Sequence, residues 1–262
     1  MTHGIDVSEH QGMIDWETVK PQIDYAMLRV GYGKNHIDRQ FVRNAQECTR
    51  HGIPFGGYWF SYALNAEQAK AEADYCVAAL SPYKAEYPVA FDFEYDSAKY
   101  AAKQGVTLTP SLVQSIASAF LLEIEAAGYF AANYANPDYI NRYFGAALQK
   151  RFGLWLARWP KGTPNAAKPP MNCNMWQWGG ANYAGSSGNV DSNFCYQEFG
   201  KKTETEAPVQ ESPCVAAWKL EIYNKAMTAS IITDPSWKDK LDETAPVWMV
   251  LASALNAKGA QQ

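Results

Sequence analysis

The chain places two acids at alternate positions directly behind an apolar run, in Pro88-Val89-Ala90-Phe91-Asp92-Phe93-Glu94-Tyr95-Asp96. Read as a buried strand, the segment points the Asp92 and Glu94 side chains to one face, with their Cα atoms roughly 6.5 Å apart. Two carboxylates held that close resist joint ionisation, so one keeps its proton near neutral pH and can act as a general acid. Asp6 and Asp191 are two further candidate acids, each in a short strand-like segment. Considered alone, an Asp-x-Glu is better explained by an acidic strand end running into a solvated loop. The elements that would carry the acids therefore decide the reading.

Apolar and aromatic segments that read as strands recur along the chain, separated by helical patterns. They are Ile5–Ser8, Tyr25–Gly33, Ile53–Tyr62, the Asp92 segment, Tyr129–Tyr134, Gly153–Trp159, Met175–Trp178 and Val190–Phe194. Between them, Asp15 caps a helical stretch to about Gln22, Asp38–Arg50 is amphipathic with Gly52 as its stop, and Asn65 caps Ala66–Leu80. Ser111–Ala127 carries Leu112, Ile116, Ala119, Phe120 and Ile124 on one face before Gly128. Asn136-Pro137 begins another short helix. Eight strands alternating with helices predict an α/β fold, an irregular TIM-like (β/α) barrel of parallel strands with helices short or missing after the sixth. An open doubly wound sheet is the alternative, weakened by the lack of a phosphate-binding glycine turn. In a barrel, functional groups gather at the C-terminal ends of strands, where Asp6, Tyr58, Tyr62, Asp92, Glu94, Tyr134, Trp159, Gln177 and Asp191 mostly fall.

Composition narrows the chemistry. Aromatic residues make up 14% of the 262 residues, with nine Trp and sixteen Tyr, more than a core of this size calls for and suited to stacking on sugars or bases. A net charge of −4 argues against nucleic acid as the partner. No segment has the length and apolarity to cross a membrane, and Met1-Thr2-His3-Gly4 does not read as a signal peptide, so export by another route, or a signal outside this sequence, is expected. The five cysteines form no Cys-x-x-Cys, the four histidines lack metal-ligand spacing, and no nucleophile elbow appears, so no metal or cofactor is called for. Buried free thiols are expected, with a Cys173–Cys195 bridge as the alternative.

The chain resembles the family 25 glycoside hydrolases, the Chalaropsis-type lysozymes of phages and bacteria. The resemblance is carried by Gly4-Ile5-Asp6-Val7-Ser8-Glu9-His10-Gln11-Gly12, Ile14-Asp15-Trp16, Gly56-Gly57-Tyr58-Trp59-Phe60 and Asp92-Phe93-Glu94. It continues through Leu154-Trp155-Leu156-Ala157-Arg158-Trp159, Met175-Trp176-Gln177-Trp178 and Val190-Asp191, in order over about residues 3–196. It implies an endolysin-like N-acetylmuramidase that cleaves the β-1,4 bond between N-acetylmuramic acid and N-acetylglucosamine in bacterial peptidoglycan. By position it makes Glu94 the general acid, Asp92 its partner, and Asp6 and Asp191 the remaining carboxylates of the mouth. Tyr58, Tyr62, Tyr134, Trp159, Trp176 and Gln177 are the candidate glycan contacts, while mid-strand Trp155 and Phe91 read as core. One departure is Trp59, where the family usually carries His, and it is expected to alter local substrate contacts. A chitinase or endo-β-N-acetylglucosaminidase, which also uses Asp-x-Glu, is the rival enzyme, and a non-catalytic glycan-binding barrel the rival outside catalysis.

Residues 1–198 are thus expected to form the catalytic barrel and 199–211, rich in Lys, Thr, Glu, Pro and Gln, a linker. Residues 212–262 are expected to form a small helical unit, with starts at Ser212-Pro213 and Asp234-Pro235. That unit reads as a cell-wall-targeting module, or as a cap or oligomerisation element. Synthesis in a host cytoplasm and release at lysis is the expected route to the wall.

Overall fold

The computed structural model describes residues 1–199. The chain divides into two units, Met1–Lys201 and Lys202–Gln262, and the described residues all belong to the first. The expected linker and C-terminal helices lie outside them.

The described residues form nine strands: β1 Thr2–Val7, β2 Tyr25–Tyr32, β3 His36–Ile37, β4 Phe55–Phe60, β5 Val89–Asp92, β6 Ala131–Ala135, β7 Gly153–Ala157, β8 Met175–Asn182 and β9 Asn189–Cys195. The order β1-β9-β8-β7-β6-β5-β4-β2, closed by β1 against β2, makes an eight-stranded barrel. β3 is an antiparallel appendage to the end of β2. The barrel is mixed, which corrects the expectation of eight parallel strands. β9 runs antiparallel to both β8 and β1. Only residues 183–188 join β8 to β9, too few for the crossover that a parallel pair requires.

The α-helices of the described residues are α1 Trp16–Val19, α2 Phe41–His51, α3 Ala66–Leu80, α4 Tyr95–Lys103, α5 Pro110–Ala126, α6 Pro137–Tyr139 and α7 Gly145–Arg151. Local chemistry sets their ends. Asp15, Asn65 and Thr109 accept from backbone N–H groups of the first turns of α1, α3 and α5. Gly52, at φ 63°, ends α2 in the left-handed conformation that glycine adopts without a Cβ clash. Asp38, expected to open α2, lies before it instead. Its buried carboxylate accepts from Arg29 Nε at 2.7 Å, Glu9 N at 2.9 Å and Gln40 N at 2.8 Å.

Strand alternation sorts the core into two shells. Ile5, Val7, Leu28, Val30, Val89, Phe91 and Leu154 face outward against the helices. Val113, Ile116, Phe120, Leu121 and Ile124 of α5 are buried where that helix packs on β5 and β6. Each such side chain, fully buried, contributes about 1.5–3 kcal/mol. The inward residues of the same strands are Tyr25, Met27, Ala90, Ala132, Trp155, Met175 and Cys195, and they fill the lower barrel. Tyr25 stacks on Tyr87 with ring centroids 4.2 Å apart, and Gly4 makes room for them, since a Cβ there would lie 2.6 Å from the Tyr25 ring.

Candidate active site

A cavity of about 250 Å³ opens at the barrel mouth, where the parallel strands end. Asp6, Asp92, Glu94 and Asp191 all line it. Each arrives by a separate local device. Asp6 is the inward residue of β1 after Gly4, and Asp191 is its direct cross-strand partner on β9. Like charges facing each other across a ladder are unfavourable, so the pair is a site built against stability. Asp92 is the last residue of β5. The expected strand does not continue to Glu94, which is the N-cap residue of α4, a helix the sequence reading lacked. Its backbone is still extended, at φ −126° and ψ −167°, so the alternation survives and its carboxyl remains on the mouth side. The Glu94 N–H donates to Ser97 Oγ at 3.1 Å, which turns the chain into α4.

Gln177 orders the mouth. Its Oε1 accepts from Tyr134 Oη at 2.9 Å and Trp159 Nε1 at 3.2 Å. With its oxygen so occupied, its Nε2 donates to Asp6 Oδ2 at 3.1 Å and Asp191 Oδ2 at 3.4 Å. Asn193 Nδ2 also donates to Asp6 Oδ2, at 2.7 Å, and is itself held by Trp155 Nε1, which donates to Asn193 Oδ1 at 2.7 Å.

The acids raise one another's proton affinity. Burial and the neighbouring Asp191 lift Asp6 to about 7, against the two amide hydrogen bonds that favour its anion. Burial, then Glu94 and Asp6, lift Asp92 well above the carboxylate range, with the Arg29 guanidinium opposing. Its Oδ1 is buried without a hydrogen-bond partner. Glu94 is raised by burial, Asp96 and Asp191, and Asp191 by burial. Four carboxyl groups of elevated pKa in one cleft can both donate a proton and leave negative charge facing a cation that develops in the reaction.

The aromatic candidates separate. Tyr58 and Tyr134 line the cavity and meet the Trp155 ring edge-on at 5.8 and 4.9 Å. Trp155, read as core, is both core and cavity wall. Trp159 stands at the rim, 59% exposed. Tyr62 lies outside the cavity lining and packs on Phe60 and Tyr100 at 5.2 and 5.1 Å. Trp176 faces out of the barrel, one residue out of phase with Gln177. Its ring packs on Phe194, and its Nε1 donates to Arg158 O at 2.7 Å. Trp59 likewise points outward, fully buried. The His-to-Trp departure therefore falls on the helix-facing side of β4, outside the cavity lining.

Ser8, His10, Gln11, Arg29 and Phe60 also line the cavity and were not singled out from the sequence. Arg29 carried a signal, as the one charge inside the apolar run of β2. It pairs with Asp38 at 2.7 Å and Glu9 at 3.1 Å. Ser8, His10 and Gln11 sit in the turn after β1, which Gly12 closes at φ 65°. Among the described residues, no three His, Cys, Asp or Glu side chains converge closely enough to hold a metal ion. Cys48, Cys76, Cys173 and Cys195 are free thiols. Cys214 lies outside the described residues.

Comparison with known proteins yields a match of residues 5–186 to the model for glycosyl hydrolases family 25. Lysozyme M1 of Streptomyces globisporus is 26% identical over 198 residues, which cover 72% of this chain and 66% of that protein. The chain thus spans just under two thirds of that relative's length. Among solved structures, the lysozyme from Streptomyces coelicolor matches with a TM-score of 0.61 at 22% identity, covering 74% of this chain and 92% of that one. A family 25 glycosyl hydrolase from Bacillus anthracis matches with a TM-score of 0.61 at 21% identity, covering 76% and 90%. At these identities the structural likeness concerns the fold.

Proposed function

The chain belongs to glycosyl hydrolases family 25, and from that premise we propose that it is a peptidoglycan hydrolase cutting the β-1,4 bond between N-acetylmuramic acid and N-acetylglucosamine. The observation that carries the reading is the meeting of Asp6, Asp92, Glu94 and Asp191 in one cavity at the mouth of the barrel. Glu94 is the proton donor. Burial, then Asp96 and Asp191, raise the proton affinity of its carboxyl, which suits it to protonate the glycosidic oxygen as the C–O bond breaks. The remaining carboxylates stabilise the oxocarbenium-like charge left on the sugar ring. Tyr58, Tyr134 and Trp155 offer an aromatic wall to the apolar faces of the sugars. Arg29 limits the repulsion by facing Asp92.

Peptidoglycan is the substrate of this reading because Lysozyme M1 is named as a lysozyme. The test is digestion of purified peptidoglycan, borohydride reduction of the new ends, and hydrolysis. Muramicitol is the expected product. Glucosaminitol would move the assignment to a glucosaminidase. The stretch from about residue 212 is part of the proposal as a wall-targeting unit. Truncation near Glu206 is expected to spare cleavage of soluble glycan and to weaken lysis of whole cells. Equal lysis by the truncated chain would remove the targeting role.

A further inference from the structure

Beside the carboxylate mouth lies a second cavity of about 470 Å³, formed by the loop from Arg158 to Pro170 and by Trp176. Its electrostatics are the reverse of the first. Arg158, Lys161 and Lys168 line it together with Trp159, and no acid does. The polarity is rooted in the sequence. From residue 139 to residue 190 there is no Asp or Glu, while Arg142, Lys150, Arg151, Arg158, Lys161 and Lys168 all fall there, in a chain of net charge −4. Two of these are neutralised, Arg142 by Asp138 at 3.2 Å and Arg151 by Glu125 at 2.5 Å. Among the described residues, Arg158, Lys161 and Lys168 enter no salt bridge.

The loop is held in shape. Arg158 N donates to Gln177 O at 3.0 Å and Trp176 Nε1 to Arg158 O at 2.7 Å, so its first residue is fastened to β8. Asn165 Oδ1 accepts from Ala167 N at 3.1 Å and Asn165 O from Lys168 N at 2.9 Å, a side-chain-stabilised turn that sets Lys168 in place. Pro160, Pro164, Pro169 and Pro170 restrict the backbone between these points. Trp159 joins the two cavities. Its ring borders the cationic one, and its Nε1 donates at 3.2 Å to Gln177, the residue that orders the acids.

We propose that this cavity receives the carboxylates of the acidic peptide stem borne by the glycan, so that the protein selects peptide-substituted strands. The inference rests on the peptidoglycan reading above. In that polymer, the stem hangs from the muramic acid lactyl group, next to the bond being cut. Whatever charge the mouth acids leave ionised repels such a substrate, and that repulsion reaches roughly a Debye length, about 8 Å at physiological salt. Three cations that enter no salt bridge among the described residues adjoin the mouth, offset that charge and steer the strand in one orientation. Phosphodiesters of wall polymers are anions too, but they are attached to few sugars and do not accompany each scissile bond.

The test is calorimetric binding to the full chain carrying Glu94→Gln, which prevents turnover. The ligands are N-acetylglucosaminyl-N-acetylmuramic acid with and without its tetrapeptide, and a soluble glycerol-phosphate polymer. The peptide-bearing ligand is expected to bind about three- to tenfold more tightly, as two or three exposed ion pairs allow, and the advantage to shrink with salt. Lys161→Gln with Lys168→Gln, and separately Lys161→Glu, should erase that advantage while the peptide-free ligand binds as before. Equal binding of the two ligands, or an advantage that survives both variants, overturns the proposal. Binding of the phosphate polymer that exceeds the stem's and is lost in the same variants overturns it in favour of a phosphate site. Failure of the unmodified protein to cut peptidoglycan, with the stem advantage intact, would sink the catalytic reading alone.

Discussion

The floor and the mouth of the barrel are built by the same strands, two residues apart, and they are chemical opposites. On β5 the inward pair is Ala90 then Asp92. On β1 it is Gly4 then Asp6, on β2 Met27 then Arg29, and on β8 Met175 then Gln177. Below, Tyr25, Met27, Tyr87, Met175 and Cys195 are packed and apolar. Above, four carboxyl groups share one cavity, and Asp92 Oδ1 is buried with no partner. A lone buried acid would be expelled or neutralised. Here the closed floor and the helix-facing shell hold the acids where local forces oppose them, so stability and chemistry are divided between adjacent layers of one pleat.

The division can be broken from either side. Glu94→Gln, in the mouth, should lower turnover of peptidoglycan by roughly 10²-fold or more without lowering the melting temperature. A folded variant with near-normal turnover would remove Glu94 as the donor. Met27→Ala, in the floor, should do the opposite. It empties a fully buried site and should cost about 2–5 kcal/mol in denaturant unfolding, while activity per folded molecule is retained. A selective loss of activity there would show that floor and mouth are coupled.

Asp6 gives a pH-dependent intermediate case. Burial and the neighbouring Asp191 push its carboxyl up to about 7 in the fold, against 3.8 for an unperturbed Asp. Between those values the folded protein keeps a proton that the unfolded chain has released, so this group's contribution to stability falls as pH rises through the window. Asp6→Asn should therefore leave the melting temperature near that of the parent at pH 4. At pH 8 it should raise stability by up to about 4 kcal/mol, read by thermal scans, because the asparagine mimics the protonated acid. An increase that is the same at both pH values would mean that charge burial is not the cause. The smallest effect belongs to the rim. Trp159→Ala removes an exposed ring and one hydrogen bond to Gln177, and should raise KM less than about tenfold with little change in kcat. A large fall in kcat would move Trp159 from the rim into the ordering of the acids.

Much of the mouth was legible because strand periodicity is local. Asp92 and Glu94 needed only their i, i+2 spacing to share a side, and that held even though β5 ends at Asp92 and Glu94 caps α4. The same alternation, applied to Gln177, assigns Trp176 to the outer face, and applied to Tyr58 it assigns Trp59 there as well. Arg29 was harder to find, since its partners Glu9 and Asp38 come from two other loops. The direction of β9 was hidden for a related reason. Strand propensity does not encode orientation, which the short 183–188 connection imposes.

By itself, then, the sequence determined the acids, the aromatic excess, the helix caps at Asp15 and Asn65, and the alternation that makes one side of each strand polar at its end. Each of these follows from backbone geometry over a few residues. Tertiary structure alone decided that Asp6 and Asp191, 185 positions apart, are cross-strand partners bridged by Gln177. It also decided that the basic 158–170 loop lies beside them. The physical reason is barrel closure. Pairing β9 with β1 brings the two ends of the described chain together, and the burial that results gives the carboxyl groups proton affinities they lack in water.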